Sequence, residues 1–326
     1  MIHVHIIGAS GYGAAELIRL LDTHPDVRIA TLESSSSPGV RVCDLFPGLP
    51  DITLAYDRPG TVAAHVRADD VVFLAGSHDL AYAQAEPLLA RGARVIDLSD
   101  AFRLHARAGK AVYGFPERYR DAIASASLIA NPGCYPTAAL LALTPLGPLD
   151  GRIAQIVIDA KSGITGAGRV PKVGSLFAEV ESNVLAYGMD GHRHGAEIGQ
   201  EIASAGLDRP YIFSPHVVPL SRGLLADIYL IPSAPISRDE VLALYERSYA
   251  ANPFVSVFTD TRVPNLPALA KTNNAQLAVS ERGGIVHVVC GIDNLGKGAA
   301  GQAVQNMNIM CSLGEERGLG TRIAVR

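Results

Sequence analysis

Short apolar runs alternate with helical patterns along the first 145 residues. The runs predict strands at Ile2 to Ile7, Val27 to Leu32, Asp70 to Ala75, Arg94 to Leu98 and Leu128 to Ala130. Apolar residues with helical spacing follow the first run over Ala15 to Leu21 and recur between Leu80 and Arg91. Such alternation is typical of a parallel, doubly wound α/β sheet covered by helices on both faces.

The pattern changes after about residue 145, where the apolar runs become longer. They predict strands at Ile153 to Ala160, Tyr211 to Leu220, Leu224 to Ile231, Ala275 to Ser280 and Ile285 to Gly291. Short turns between neighbouring runs, such as Glu281 to Gly284, favour antiparallel pairing. Helical patterns at Gly195 to Ala205 and Arg238 to Ala250 would cover one face. We therefore predict an α+β domain with a largely antiparallel mixed sheet, followed by a helix over Gly296 to Met307.

Length, charge and cysteine content exclude several classes of protein. The chain has 326 residues, enough for two domains, and a net charge of −4, which argues against a nucleic-acid-binding surface. No apolar stretch approaches the ~20 residues of a membrane span, and the amino terminus lacks a secretory pattern. Scattered cysteines favour neither a disulfide framework nor a zinc site and fit a reducing, cytoplasmic setting. They are Cys43, Cys134, Cys290 and Cys311.

The segment NPGCYPT at residues 131–137 places one of these cysteines in a strand-to-helix turn. Pro132 and Gly133 predict a tight bend, and Pro136 suits a helix start because its missing N–H needs no partner there. Unpaired N–H groups in the first turn of a helix favour a thiolate and can hold an oxyanion. Cys134 is therefore a candidate nucleophile, and a buried structural thiol is the alternative.

Small residues follow the first predicted strand and open the first predicted helix. Gly8, Gly11 and Ala14 form a variant of the dinucleotide fingerprint, in which the backbone approaches a pyrophosphate at a helix amino terminus. A plain tight turn is the alternative. The positions that we assign to the cofactor in this turn are Gly8, Ser10, Gly11, Tyr12 and Gly13.

The loop after the second strand is expected to meet the adenosine ribose of the cofactor. Glu33 stands there, followed by the four serines of residues 34–37. A carboxylate favours the free 2′-hydroxyl of NAD, whereas serine hydroxyls can bind the 2′-phosphate of NADP. Ser34 and Ser36 are assigned to the cofactor, and the choice between NADP and NAD stays open.

Two histidines, His192 and His194, precede a predicted helix that contains Glu197. Residues two apart do not share a helix face, so we place the pair in a loop, from which one imidazole could reach the thiol as a general acid and base. Structural hydrogen bonding is an alternative. Metal binding is a weaker one, because no further ligand cluster accompanies the pair. Glu197 is placed to orient an imidazole or to cap the helix.

Three cationic side chains at predicted strand ends could bind anionic groups of a substrate. Arg103 follows the fourth strand, Lys161 opens a glycine-rich turn that ends at Arg169, and Arg222 lies in a second turn. Such turns leave backbone N–H groups available to an anion. The alternative for each is a solvated surface charge.

Taken together, the motifs resemble the N-acetyl-γ-glutamyl-phosphate reductases of the semialdehyde dehydrogenase superfamily. The similar segments span nearly the whole chain: GASGYGAAEL, DLSDAFR, YGFPE, NPGCYPT, DAKSGITGAGR, HRHGAEI, PHVVPLSRG and DNLGKGAAGQAVQN. The resemblance implies NADPH-dependent reductive dephosphorylation of an acyl phosphate to an aldehyde through a cysteine thioester. It implies a Rossmann-type domain over residues 1–145 and 297–326, a substrate and dimerisation domain over 146–296, and a homodimer or homotetramer.

The resemblance also assigns roles to individual positions. Cys134 becomes the nucleophile and His194 the acid and base, with His192 as the competing choice. It places Arg103 and Asn131 near the phosphoryl group. Together with the residues singled out above, the positions expected near the substrate are Arg103, Asn131, Lys161, His192, Glu197 and Arg222. Those expected near the cofactor or its nicotinamide are Ser99, Ser162, Gly163, Asn294 and Lys297, with Ser99 also close to the phosphoryl group. No metal is expected.

Two departures from the family pattern and three rival functions remain. Ser35 stands where the family usually has a basic residue, and the segment between Arg103 and Tyr113 is shorter than usual. The closest rival is a sister reductase of lysine biosynthesis, whose substrate is carried by a small acidic protein. A cofactor-free acyl-transfer hydrolase and a catalytically silent nucleotide sensor are rivals from other classes.

Overall fold

The computed structural model describes residues 1–320. These residues form thirteen strands: β1 Ile2–Ile7, β2 Val27–Glu33, β3 Val71–Leu74, β4 Arg94–Asp97, β5 Val112–Tyr113, β6 Leu128–Ala130, β7 Ile153–Gly163, β8 Leu185–Ala186, β9 Tyr211–Val218, β10 Leu224–Pro232, β11 Val255–Phe258, β12 Ala275–Arg282 and β13 Ile285–Ile292.

The same residues form eleven α-helices: α1 Tyr12–Asp22, α2 Val42–Leu45, α3 Thr61–His65, α4 His78–Leu89, α5 Pro116–Ser125, α6 Cys134–Leu143, α7 Phe177–Val180, α8 Arg193–Ser204, α9 Arg238–Tyr249, α10 Leu266–Leu269 and α11 Gly301–Met310. Among the described residues, no helix has both the length and the apolar character that a membrane span requires.

The described chain divides into two compact units. The first comprises Met1–Pro132 and Ala299–Gly320, and the second comprises Gly133–Gly298. Helix α6 belongs to the second unit because it packs against α8, β10 and β13, whereas the sequence-based boundary at residue 145 assigns it to the first. Residues 321–326, which were also assigned to the first domain, lie outside the described residues.

The first unit contains the predicted doubly wound sheet. Six strands lie in the order β2-β1-β3-β4-β6-β5, and every pair in the order is parallel. Strand β3 is fully buried along its length, which is why it reads as an uninterrupted apolar run. The parallel α/β prediction is confirmed.

A tight turn joins β1 to α1. Gly8 has a φ of 84°, and a Cβ at this position would lie 2.8 Å from the backbone nitrogen of Gly76. Only glycine is compatible with both the left-handed backbone and this close approach. Gly11 is the extended N-cap residue of α1. The turn therefore presents an open helix amino terminus at the end of the first strand.

The second unit contains the predicted mixed sheet, with seven strands in the order β11-β12-β13-β10-β7-β9-β8. Strands β12 and β13 form the expected hairpin, in which Gly283 and Gly284 both have positive φ, as a tight two-residue turn requires. Strands β9 and β10 do not pair with each other as their short connection suggested. Strand β7 lies between them, parallel to β9 and antiparallel to β10.

Helix α6 forms part of the core of the second unit. All of its residues after Cys134 are buried. Tyr245 and Tyr249 of α9 donate hydrogen bonds of 2.6 Å each to the carbonyl oxygens of Ala142 and Leu141. These bonds satisfy carbonyl groups that the last turn of a helix leaves without an internal partner. The helix that begins at Cys134 is therefore firmly held at its far end.

The predicted carboxy-terminal helix starts later and ends later than expected. Gly296–Ala300 forms a π-helical turn, and α11 continues from Gly301 to Met310. Every residue of α11 is buried. The helix packs against α1 and α5 of the first unit, as expected for a helix that completes this domain.

Candidate active site

Cys134 is the first residue of α6, directly after the extended N-cap residue Gly133. Thr137 donates two bonds to the carbonyl oxygen of Gly133, one of 2.9 Å from its backbone N–H and one of 3.0 Å from its hydroxyl. Pro136 contributes no N–H to the first turn. The thiol is half-buried. It therefore lies at the positive end of the helix dipole, which stabilises a thiolate.

Two histidines open the neighbouring helix α8. His192 is the N-cap residue, and its Nδ1 accepts a hydrogen bond of 3.1 Å from the backbone N–H of His194. The two rings lie 4.7 Å apart between centroids. The sequence-based prediction of a loop position for both residues is wrong for His194, which lies in the first turn of α8 and is buried. Burial, followed by the nearby charge of Arg193, lowers the pKa of His192.

Glu197 lies one turn further along α8 and is buried. Its Oε1 accepts a hydrogen bond of 2.9 Å from the backbone N–H of Gly133. The carboxylate thus contacts the turn that precedes Cys134. A substrate-binding role is not supported by this contact.

Aromatic side chains surround the two imidazoles. The ring of Tyr135 lies 5.9 Å from the ring of His194 and 5.3 Å from that of Phe213, while Tyr187 lies 5.4 Å from His192. The hydroxyl of Tyr135 donates to the carbonyl oxygen of His216 at 2.8 Å. Burial, reinforced by the neighbouring Tyr187, raises the pKa of Tyr135. No local sequence signal indicates these aromatic residues, because Tyr187 and Phe213 come close to α6 and α8 only when the chain folds.

A cleft of about 440 Å³ joins these groups within the second unit. It is lined by Cys134, Tyr135, Ser162, Gly163, Lys172, Tyr187, His192, Arg193 and His194, among others. The predicted nucleophile, both histidines and two of the residues assigned to the cofactor therefore share one cavity.

Lys161 does not line this cleft. Successive side chains of β7 point to opposite faces of the sheet, so Lys161 points away from the face to which Ser162 contributes. Its Nζ lies 2.7 Å from a carboxylate oxygen of Asp159 and 2.9 Å from one of Asp227. Burial opposes the charge, but the two carboxylates outweigh it and raise the pKa of Lys161. The carboxylates of Asp159 and Asp227 thus hold the ammonium group of Lys161 on that face of the sheet.

Arg222 and Asn294 stabilise turns at the ends of strands. The Nε of Arg222 donates at 2.8 Å to the fully buried carboxylate of Asp293. Asn294 accepts from the backbone N–H of Gly223 at 2.8 Å and donates to the hydroxyl of Thr165 at 3.0 Å. These bonds hold the glycine-rich turn after β7 against the turn before β10.

The segment around Lys297 packs against Cys134. Lys297 is fully buried, with its Nζ 5.7 Å from the centroid of the Phe254 ring. A Cβ added at Gly298 would lie 2.8 Å from the Cβ of Cys134. Only a residue without a side chain allows this approach, so Gly298 determines the space around the thiol.

Arg103 and Asn131 lie together in the first unit. The guanidinium of Arg103 donates at 2.8 Å to the carbonyl oxygen of Asn131 and at 2.8 Å to that of Leu98. The amide of Asn131 donates to the carbonyl oxygen of Ala299 at 3.2 Å and accepts from Asn306 at 3.0 Å. Both residues are buried.

Ser99 follows β4 and is bound to a buried carboxyl group. Its hydroxyl and its backbone N–H each donate to Asp97 at 2.9 Å. Burial raises the pKa of Asp97. Ser99 therefore has a fixed orientation after the end of its strand.

The serine loop after β2 forms a hydroxyl cluster with the glycine turn. The hydroxyl of Ser10 lies 3.1 Å from that of Ser34 and 3.0 Å from that of Ser36. The carboxylate of Glu33 is buried and accepts a bond of 3.0 Å from the backbone N–H of Val62. Hydroxyl groups, rather than the carboxylate, thus face the turn that leads into Tyr12 and Gly13 at the start of α1.

No metal site is evident in the described part of the chain. Within residues 1–320, no group of three or more histidine, cysteine, aspartate or glutamate side chains has an arrangement that could hold a metal ion.

Comparison with solved structures indicates the fold. Aspartate semialdehyde dehydrogenase II from Vibrio cholerae, complexed with ASA, superposes with a TM-score of 0.75 at 18% identity, covering 96% of this chain and 98% of that chain. Aspartate semialdehyde dehydrogenase with NADP from Candida albicans gives a TM-score of 0.71 at 16% identity, covering 95% and 98%.

Comparison of sequences gives the family. A model described as semialdehyde dehydrogenase, NAD binding domain, matches residues 3–126, and one described as semialdehyde dehydrogenase, dimerisation domain, matches residues 134–294. N-acetyl-γ-glutamyl-phosphate reductases from Moorella thermoacetica and Desulfotalea psychrophila are 41% and 43% identical, each over 98% of this chain and 98% of the relative. The chain therefore belongs to the N-acetyl-γ-glutamyl-phosphate reductase family of the semialdehyde dehydrogenases.

Proposed function

We propose that this protein reduces N-acetyl-γ-glutamyl phosphate to N-acetylglutamate 5-semialdehyde with NADPH and releases inorganic phosphate. The observation that carries the proposal is the position of Cys134 at the amino end of α6, in one cleft with His192 and His194. The identity of 41% to 43% with reductases of that name supports the substrate. The reaction is a step of arginine biosynthesis.

The chemistry begins at the sulfur of Cys134. The thiolate attacks the acyl carbonyl carbon, a carbon–sulfur bond forms, and the carbon–oxygen bond to the phosphate breaks. Phosphate leaves with the electron pair of that bond, and a thioester remains on Cys134. Backbone N–H groups in the first turn of α6 stabilise the negative charge that develops on the carbonyl oxygen.

His194 is the proton carrier of the proposed mechanism. Its imidazole accepts the proton of the Cys134 thiol before attack and returns it to the sulfur when the thiohemiacetal collapses to the aldehyde. His192 uses Nδ1 to cap α8, and a ring nitrogen that accepts a hydrogen bond carries no proton. The two histidines therefore have different roles, and the acid and base is His194.

The first unit fits a dinucleotide cofactor. The close approach of Gly8 to Gly76 and the open N-cap at Gly11 leave room for a pyrophosphate at the amino terminus of α1. Bound NADPH supplies the hydride that reduces the thioester carbonyl. Glu33 is held by the N–H of Val62, so the serine hydroxyls are the groups that can bind a 2′-phosphate. This arrangement favours NADP over NAD.

Other polar residues serve the substrate or hold the site in shape. We propose that Arg103 and Asn131 bind the anionic end of the acyl phosphate, with Ser99 beside them. Lys161 and Arg222 are bound to carboxylates of the second unit, so we assign them to its architecture. Ser162 and Gly163 border the cleft and are proposed to contact the nicotinamide.

The substrate of the sister reductases, which is bound to a carrier protein, is less well supported. The relatives that match 98% of the chain are named for the N-acetyl substrate. The description of the second family model supports homo-oligomerisation, and we propose a homodimer or homotetramer. No disulfide joins the cysteines, which supports the cytoplasm as the site of action.

The reverse reaction tests the proposed function. Purified protein is mixed with inorganic phosphate, NADP or NAD, and either N-acetylglutamate 5-semialdehyde or its homologue that is one carbon longer. We expect continuous NADPH formation over many turnovers only with phosphate and the shorter aldehyde. Preference for the longer aldehyde would favour the sister reductase, and no reduced cofactor with either aldehyde would contradict the proposal.

A further inference from the structure

His194 and Glu197 occupy the same face of α8. Residues three apart on a helix are neighbours on its surface. Both side chains are buried, 5% and 2% exposed respectively, and α8 packs against α6. A carboxylate in such a position is costly to bury unless it accepts hydrogen bonds. The hydrogen bonds that the Glu197 carboxylate accepts therefore indicate its role at this position.

The carboxylate of Glu197 connects α8 to the turn that carries the nucleophile. Its Oε1 accepts the backbone N–H of Gly133 at 2.9 Å, and Gly133 immediately precedes Cys134. This bond thus ties the helix that carries the proposed proton carrier to the turn that precedes the proposed nucleophile. A second bond, of 2.9 Å from the Tyr211 hydroxyl to the Gly195 carbonyl oxygen, ties α8 to β9.

We propose that Glu197 is a positioning residue that sets the separation of the Cys134 sulfur from the His194 imidazole by holding the N–H of Gly133. The inference rests on the proposed function, and it assigns Glu197 a role other than binding the substrate. Displacement of reacting groups by about 1 Å can cost about 100-fold in rate, even when the residue responsible does not contact the substrate. The prediction therefore concerns kcat rather than KM.

The hydrogen bond and the charge of Glu197 can be separated by substitution. Glu197→Gln retains an oxygen acceptor of the same shape, whereas Glu197→Ala removes the acceptor. Glu201 offers a matched control, because it is a second buried glutamate one turn further along α8. Its carboxylate accepts from the side-chain amide of Gln200 at 3.2 Å, so Glu201→Gln changes a buried charge on the same helix.

Steady-state kinetics distinguish the roles. We expect Glu197→Ala to lower kcat about 100-fold with KM within about threefold of the unmodified enzyme, because the misplaced groups still bind the substrate. Glu197→Gln should restore kcat to within about threefold, and Glu201→Gln should change neither constant by more than about threefold. A raised KM with unchanged kcat in Glu197→Ala would overturn the proposal in favour of substrate binding.

A second experiment needs no substrate. It measures alkylation of Cys134 by iodoacetamide, with the modified residue located by peptide mass mapping. The ionisable groups that line the cleft with the thiol are Tyr135, Lys172, Tyr187, His192, Arg193 and His194. At pH 7 we expect Glu197→Ala to be alkylated at least about 10-fold more slowly, because the imidazole no longer accepts the thiol proton. Glu197→Gln should react within about threefold of the unmodified protein.

The kinetic and alkylation experiments together distinguish failure of this inference from failure of the proposed function. If the unmodified protein shows no reductase activity but Glu197→Ala slows alkylation and Glu197→Gln does not, the positioning role stands and the proposed function fails. Equal alkylation rates in all variants would overturn the positioning role. If Glu197→Ala does not fold, Glu197→Gln decides, because a 100-fold loss of kcat in that variant contradicts a role as hydrogen-bond acceptor.

Discussion

The Nδ1 atom of His192 accepts a hydrogen bond of 3.1 Å from the backbone N–H of His194. The two imidazoles lie in one cleft, 4.7 Å apart between centroids, but only the imidazole of His192 is engaged in this bond. His192 satisfies one of the N–H groups that the start of α8 leaves without an internal partner. This difference supports the proposal that His194 is the proton carrier for Cys134.

Substitution of the two histidines by asparagine should have unequal effects. Asparagine is a good N-cap residue, so His192→Asn should keep α8 intact and kcat within about 10-fold of the unmodified enzyme. His194→Asn removes the general acid and base and should lower kcat by about 100-fold to 10,000-fold. Steady-state kinetics at pH 7.5 measure both. The reverse order of effects would assign proton transfer to His192.

The stability of the protein should decrease as the medium becomes acidic, in part because of His192. Burial, followed by the charge of Arg193, lowers the pKa of this side chain from its ordinary value of 6.5. Between the folded and unfolded pKa values the unfolded chain binds more protons, so the free energy of unfolding falls as pH falls. The contribution is complete above pH 6.5 and is lost as pH falls through the folded pKa.

Urea unfolding at about pH 7.5 and about pH 5.5 checks this dependence. The unmodified protein should lose more stability between the two conditions than His192→Asn, which has no imidazole to protonate at this position. An equal loss in the two proteins would show that His192 titrates alike in the folded and unfolded chains.

Gly298 provides a test of the space around the nucleophile. A Cβ there would lie 2.8 Å from the Cβ of Cys134, so Gly298→Ala should displace the thiol and lower kcat at least about 10-fold. Gly174 lines the same cleft and has no atom within 4 Å of an added Cβ. Gly174→Ala is therefore the matched control and should leave kcat within about twofold. Equal kcat values for the two variants would contradict the packing argument.

The hydroxyl cluster of Ser10, Ser34 and Ser36 should determine cofactor preference. A carboxylate introduced by Ser36→Asp would repel a 2′-phosphate, so the KM for NADPH should rise at least about 10-fold while that for NADH changes little. Ser36→Ala removes the same hydroxyl without adding a charge and serves as the uncharged control. Equal increases for both cofactors in Ser36→Asp would place the 2′-phosphate elsewhere.

Much of the fold could be predicted because its signals are local. Buried parallel strands such as β3 read as apolar runs, and the glycine pair between β12 and β13 specifies a tight hairpin. The pairing of β9 and β10 could not be predicted in this way. Their short connection suggested a hairpin, but each pairs with β7, which precedes them by many residues in the sequence. Strand order depends on long-range packing that local turn chemistry does not encode.

In the candidate site, too, local features could be predicted from the sequence and long-range contacts could not. The turn of NPGCYPT predicted a helix start at Cys134, which the structure has, and made this residue the candidate nucleophile, because proline, glycine and cysteine have specific positions at a helix start. Nothing in the sequence indicated that Glu197 contacts Gly133 or that Tyr187 faces His192, because these contacts arise only when the second unit folds. Lys161 was chosen for its charge, yet strand alternation directs it to carboxylates on the opposite face.

A burst experiment without phosphate tests the thioester at Cys134 most directly. The protein is mixed with NADP and N-acetylglutamate 5-semialdehyde, so that oxidation of the bound aldehyde can proceed only as far as the acyl-enzyme. We predict a burst of about one NADPH per chain, an acyl group on Cys134 by peptide mass mapping, and turnover when phosphate is added. Steady NADPH production from the Cys134→Ser variant, with no acyl group on the unmodified protein, would contradict the account.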